Sequence, residues 1–183
     1  MISRPALAIC LTIGAMAAFS ALAQPARTTD LPDKMAGVYK SHFQNGLVSG
    51  ESYTSENILE IVPYKAGAAY FRIHLEFFNG HECAMSGIAE ARVDRLVYVG
   101  PKDDDGAPCT LTIRHAANGV HIYENENGAC RNQTCGERGG YGYKPNGPAD
   151  FKPADRRPIR YLPRLLASRE YADAAKEYEA RGR

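Results

Sequence analysis

The chain has 183 residues, with 22 Lys/Arg against 21 Asp/Glu, five cysteines, 44% apolar residues and no tryptophan. A formal net charge of +1 excludes the strongly basic balance of a nucleic-acid-binding protein. The length suits one domain with a core large enough that stability does not rest on cross-links alone.

Residues 1–23 read as a signal peptide: Arg4 supplies a positive start, Ala6 to Leu22 an apolar run, and Ala21-Leu22-Ala23 a small-x-small cleavage box. The run is short for a membrane span. No later stretch is apolar enough to cross a bilayer, so a periplasmic or secreted protein beginning at Gln24 is expected. Residues 24–36 are polar, contain two prolines and read as a flexible leader.

Residues 37–148 carry short segments at intervals of about ten residues. Gly37-Val38-Tyr39 opens the first strand, the polar stretch from Asn45 to Asn57 reads as a loop, and Ile58 to Val62 reads as a strand that stops at Pro63. The centre of the pattern runs from Ala69 to Met85. Phe71, Ile73, Leu75 and Phe77 alternate with Tyr70, Arg72, His74 and Glu76, giving one buried and one wet face. Asn79-Gly80 supplies the turn. Cys83, Met85, Gly87, Ala89 and Ala91 then share one face of the next strand, and small inward residues beside large ones favour a curved sheet. Further strands are expected at Leu96–Val99, from Cys109 to Ile113 and, after the Asn118-Gly119 turn, from Val120 to Tyr123. Residues 124–148 read as a long Gly/Asn/Tyr-rich connection.

Residues 149–183 form a basic tail. Its apolar positions Leu165, Leu166, Ala172, Ala175 and Tyr178 recur near helical spacing after Pro163. The fold class is therefore all-β: a small antiparallel meander barrel or curved sheet with one C-terminal α-helix, a two-sheet sandwich being the alternative. Residues 24–150 carry a net charge of −4 and residues 151–183 one of +4. The tail is expected to dock through Leu165, Leu166 and Ala172, with Arg156, Arg157 and Arg160 near acidic parts of the sheet.

Four cysteines remain after residue 23, and an even count behind an export signal reads as two disulfides. Cys130 and Cys135 stand in one glycine-containing loop, and Cys83 and Cys109 both begin strands. The expected bridges are Cys83–Cys109 and Cys130–Cys135. A zinc site using His81 and Cys83 would need short paired cysteine arms that are absent. Asp103-Asp104-Asp105-Gly106 lacks the alternate spacing of a calcium loop. No metal or other cofactor is expected.

Nucleophile and phosphate-loop motifs are missing. Carboxylates that meet only in three dimensions would leave a hydrolase open, with Glu82, Asp103 and Glu137 as candidates. The candidate binding residues read from the loops are His81, Glu82, Arg138, Tyr141 and Tyr143, since Tyr, Ser, Gly and Asn on loops make adaptable contacts; Ser49 and Tyr53 join them through a resemblance. Ser49-Gly50-Glu51-Ser52-Tyr53 resembles the S-G-x-x-Y loop of periplasmic inhibitors of C-type lysozyme. The match spans five residues, three of them fixed. That family consists of small exported antiparallel barrels with a disulfide, which put a loop into the lysozyme cleft. The resemblance implies that Ser49 and Tyr53 touch such a partner. The family's second loop has only Lys65-Ala66-Gly67 to set against its Lys-Gly pair. The expected function is non-catalytic binding of a protein or cell-wall-associated partner, as an inhibitor in one version. A lipocalin-like carrier of a small apolar ligand is the alternative.

Overall fold

A computed structural model describes residues 30–142 and 150–181. Seven strands follow one another as an antiparallel meander: β1 (Gly37–Gly46), β2 (Ser52–Pro63), β3 (Ala68–Glu76), β4 (Glu82–Arg92), β5 (Arg95–Lys102), β6 (Pro108–Ala116) and β7 (Gly119–Glu124). A two-residue strand, β8 (Arg156–Arg157), pairs with the outer edge of β1. The sheet curls into a half-barrel. Short helices α1 (Leu31–Met35), α2 (Ala129–Thr134) and α3 (Leu162–Leu166) and the longer C-terminal helix α4 (Arg169–Arg181) complete it.

The period-two pattern of β3 does what it predicts on the concave side. Phe71, Ile73 and Leu75 are buried with Leu59 and Ile61 of β2, Ala89 and Ala91 of β4, and Leu96, Leu111 and Ile113 of β5 and β6. Small residues on β4 have a specific use. A Cβ on Gly87 would lie 2.4 Å from Tyr98 Cε2, and one on Gly100 would lie 2.6 Å from the same ring. Strands β4 and β5 pair only from Glu90/Val97 to Arg92/Arg95 and then part. The Tyr98 ring fills the opening, edge-on to Phe71 at 5.2 Å between centroids.

The polar residues from Asn45 to Asn57 are strand for most of their length, not loop. The β1–β2 ladder runs unbroken from Gly37↔Ile61 to Gly46↔Ser52. A ladder is made by backbone groups, which are indifferent to polar side chains, and the buried Asn45 is satisfied by its amide bonds to Ser55 Oγ and the Phe77 carbonyl, both 2.9 Å. Within residues 24–36, α1 is ordered rather than flexible, because Leu31 and Met35 enter the concave core and Tyr39 Oη donates to the Met35 carbonyl at 2.8 Å. Pro32 suits its first turn.

The tail closes the sheet at two places. Phe151 bridges to Val120 on β7 and is fully buried against Tyr39. Arg156 and Arg157 then pair with Tyr39 and Val38 on β1. The charge expectation fails for two of the three arginines: Arg156 donates to the Ala36 carbonyl and Arg157 to the Ala154 carbonyl, and among the described residues neither pairs with a carboxylate. The helical tail breaks at Ser168, whose Oγ accepts from the Tyr171 amide as an N-cap. It docks on the convex face through Leu165, Tyr171, Ala174, Ala175 and Tyr178 against Val62, Ala68, Tyr70 and Ile88. Leu166 and Ala172 point outward instead, since an i, i+3/i+4 stripe starting at Tyr171 presents 171, 174, 175 and 178 to one side.

Candidate functional site

A meander places alternate hairpin tips at the same end of the sheet. The tips 47–51, 77–81 and 103–107 therefore share one rim, and the chain leaves β7 there as well. Beyond the last β4–β5 pair one edge of β4 is free. The segment after α2 takes that edge: Cys135 bridges to Cys83, and the Gly136 amide donates to the Glu82 carbonyl at 2.8 Å.

This pairing decides the disulfides. They are Cys83–Cys135 and Cys109–Cys130, not the expected Cys83–Cys109 and Cys130–Cys135. Cys130 lies in α2, which packs on β6 beside Cys109, while Cys135 has left the helix to join β4. A local Cys130–Cys135 bridge would need both to face the same way. Gly139 lies against the Cys83–Cys135 bridge, where a Cβ would come 2.8 Å from Cys83 Sγ. Gly136 instead lies against His81, Gly140 against Arg131 and Gly142 against the Ile122 carbonyl.

Five of the candidate residues meet at the rim. Ser49 is exposed in the β1–β2 turn. Tyr53 Oη accepts from the Gly80 amide at 3.2 Å, and Asn79 Oδ1 accepts from the Val48 amide at 3.3 Å, so the first two tips are tied together. Asn79 and Gly80 both hold positive φ, as their turn requires. His81 is half-buried beside Gly136. Glu82 is exposed with Oε2 2.9 Å from His74 Nε2. The Arg138 guanidinium stands over the Phe78 ring at 5.6 Å, linking the third segment to the second tip.

Two candidates fall elsewhere. Tyr141 belongs to the concave core, with Oη 2.8 Å from Thr134 Oγ1, and burial pushes its phenol up to about 12. It is a core residue, not an exposed binding residue. Tyr143 lies outside the described residues. Sequence reading missed Val48, 70% exposed, and Phe78, 43% exposed. The only signal for them is an apolar side chain placed directly in a turn.

The catalytic candidates do not form a constellation. Glu82 pairs with His74 on the convex side. Asp103 folds back on its own loop, its Oδ1 accepting from the amides of Asp105 and Ala107. Glu137 contributes only its carbonyl, to Arg131 Nη2. Among the described residues no group of three His, Cys, Asp or Glu side chains is placed to hold a metal ion.

A polar network around a buried carboxylate lies on the convex face. Glu60 is 2% exposed and receives two hydrogen bonds from Arg72 and one from the Tyr161 hydroxyl. Burial and the Glu60 carboxylate push the Tyr161 phenol up to about 12. Beside it runs an open groove of about 460 Å³ lined by Arg72, His74, Ser86, Tyr161 and Glu170.

No family model, no curated protein and no solved structure matches the chain. Among the described residues no helix is long and apolar enough to cross a membrane. Two disulfides are compatible with an extracellular or periplasmic location.

Proposed function

We propose that the chain is an exported, non-catalytic binding protein whose rim recognises a protein or cell-wall-associated partner. One observation carries the reading: three chain segments far apart in sequence are tied together at one end of the sheet and leave Val48, Phe78, Ser49 and Arg138 exposed side by side. The Cys83–Cys135 bridge anchors the third segment. A surface ordered before binding loses less entropy on association. An aromatic ring and an arginine at its centre match the residues that dominate protein interfaces.

The concave face is filled by Tyr39, Phe71, Tyr98 and Phe151, each buried. A carrier of an apolar ligand needs that volume empty, so the rim is the better-supported binding surface. In the inhibitor version the partner is a C-type lysozyme, reached by Ser49 and Tyr53.

The test is binding and inhibition of a C-type lysozyme, with insoluble peptidoglycan as a second partner, followed by calorimetry. Phe78→Ala and Arg138→Ala should each weaken binding by about tenfold or more if they are central contacts. Hydrolysis of peptidoglycan or ester substrates that disappears in Glu82→Gln would overturn the non-catalytic reading. Lysozyme inhibition that is unchanged in Ser49→Ala and Phe78→Ala would overturn the role of the rim.

A further inference from the structure

The fourteen residues from Arg156 to Arg169, RRPIRYLPRLLASR, contain five arginines and no carboxylate. They also contain three of the large apolar side chains that the fold leaves exposed: Tyr161 at 37%, Leu162 at 37% and Leu166 at 41%. All five arginines are exposed. Arg156 and Arg157 donate to backbone carbonyls, and no carboxylate among the described residues pairs with either. Arg169 has the more distant Asp173 at 3.4 Å.

The segment is anchored at three points. Leu165 is buried in the convex cluster, Tyr161 donates to Glu60, and β8 is laddered to β1. Leu162 and Leu166 stand four residues apart on α3 and neighbour each other on its exposed flank, next to the buried Leu165. Leu162 borders a shallow apolar groove with Gly37, Pro63, Pro158 and Ile159. These residues mark the end of the sheet opposite the rim.

We propose that this surface docks on an anionic phospholipid bilayer, the leucines entering the acyl boundary and the arginines engaging lipid phosphates. Two features select a membrane over other anionic partners. Guanidinium groups bind phosphate oxygens in a bidentate fork. Exposed leucines interleaved with cations are what an interfacial element needs, and a soluble polyanion offers nothing apolar for them to enter. Docking here would aim the rim away from the bilayer and leave it free.

The experiment is vesicle co-sedimentation of the protein as recovered from its expression host, with one N-terminus, read by mass spectrometry, shared by all variants. Vesicles of phosphatidylcholine with 30% phosphatidylglycerol are compared with pure phosphatidylcholine, and heparin serves as a soluble polyanion. Expected are binding to the anionic vesicles alone, weakening with salt, and roughly a fivefold loss for each of Arg160→Gln, Arg164→Gln and Arg169→Gln. The pair Leu162→Ser and Leu166→Ser should lose roughly tenfold. Both leucines are surface positions, and the single changes Arg160→Gln and Leu162→Ser keep the test readable if a multiple variant folds poorly. Phe78→Ala, at the rim, should bind vesicles as the parent does. Equal binding to neutral vesicles, no sedimentation with anionic vesicles at low salt, or unchanged binding in the arginine or leucine variants would each overturn the proposal. So would heparin binding as tight as vesicle binding with no loss in the leucine pair, or vesicle binding lost in Phe78→Ala.

Discussion

The two faces of this sheet are stabilised differently. The concave face is packed by strand residues and both disulfides, with α1 and Phe151 filling its open side. Among the described residues no second sheet opposes the convex face. It borrows α4, four tyrosines and the Glu60–Arg72–Tyr161 network to cover what would otherwise be wet. Tyr98 joins the two. Its ring packs with Phe71 in the concave core, and its hydroxyl reaches Glu177 Oε1 at 3.3 Å on α4. Arg181 closes over the same ring at 5.3 Å. A face built by strand alternation tolerates little change in volume, whereas one built by a docked tail depends on a few polar contacts holding the tail in place.

Several substitutions break that contrast. The largest effect is expected on the concave side: Phe71→Ala should cost about 4 kcal/mol by lost transfer energy and a cavity, read as a drop in urea midpoint with unchanged slope. Replacing Cys83 and Cys135 together by alanine should cost a similar ~4 kcal/mol, because the bridge closes a loop with a sequence separation of 52. The bridge across a separation of 21, Cys109–Cys130, should be worth ~3 kcal/mol. A non-reduced digest should yield the same two pairs. A Cys130–Cys135 peptide would refute the rim architecture.

On the convex side Arg72→Ala should cost about 3 kcal/mol, since it leaves Glu60 buried without its guanidinium. A loss below ~1 kcal/mol would mean that water reaches Glu60 and that the convex face is looser than described. Truncation before Arg169 should also lower the melting temperature, by uncovering Tyr70 and Ile88. Gly87→Ala tests the junction. The added methyl meets the Tyr98 ring, and overpacking of this kind costs about 2 kcal/mol.

The smallest effect sharpens the electrostatics of the concave side. Glu124 is buried, with Oε2 accepting from the Arg131 amide and Oε1 without a hydrogen-bond partner among the described residues. Burial raises its pKa above the ordinary 4.5. A raised carboxyl pKa means that stability is highest with the proton bound, below the unfolded value, and is lost as pH rises through the folded value. Glu124→Gln should match the parent in melting temperature at pH 4 and exceed it at pH 7. A gap that does not change with pH would show that the carboxylate is compensated.

Much of the concave face was legible beforehand. Phe71, Ile73 and Leu75 alternate strictly, the small residues of β4 fall on the same face, and Asn79-Gly80 and Asn118-Gly119 mark turns where they occur. The opposite face was misread as solvated at Tyr70, which α4 covers completely. Of the candidate rim, His81 and Glu82 follow from the Asn79-Gly80 turn, Arg138 from its glycine- and tyrosine-rich stretch, and Ser49 and Tyr53 from the five-residue resemblance. Tyr141 was indistinguishable from them, because a tyrosine beside glycines can anchor a loop to the core as readily as offer it to a partner.

The sequence by itself determined the meander: period-two alternation and short turns are local properties, and consecutive antiparallel strands need no long-range information to pair. It also determined that the tail is helical. Only the tertiary structure decided which cysteines meet, which tail residues face the sheet, and that three separate segments form one rim. Each of these depends on which strand edge or helix flank is left unpaired after the sheet curls. That is set by the gap between β4 and β5, which no local pattern of residues records, and by a break at Ser168, where a capping serine restarts the helix.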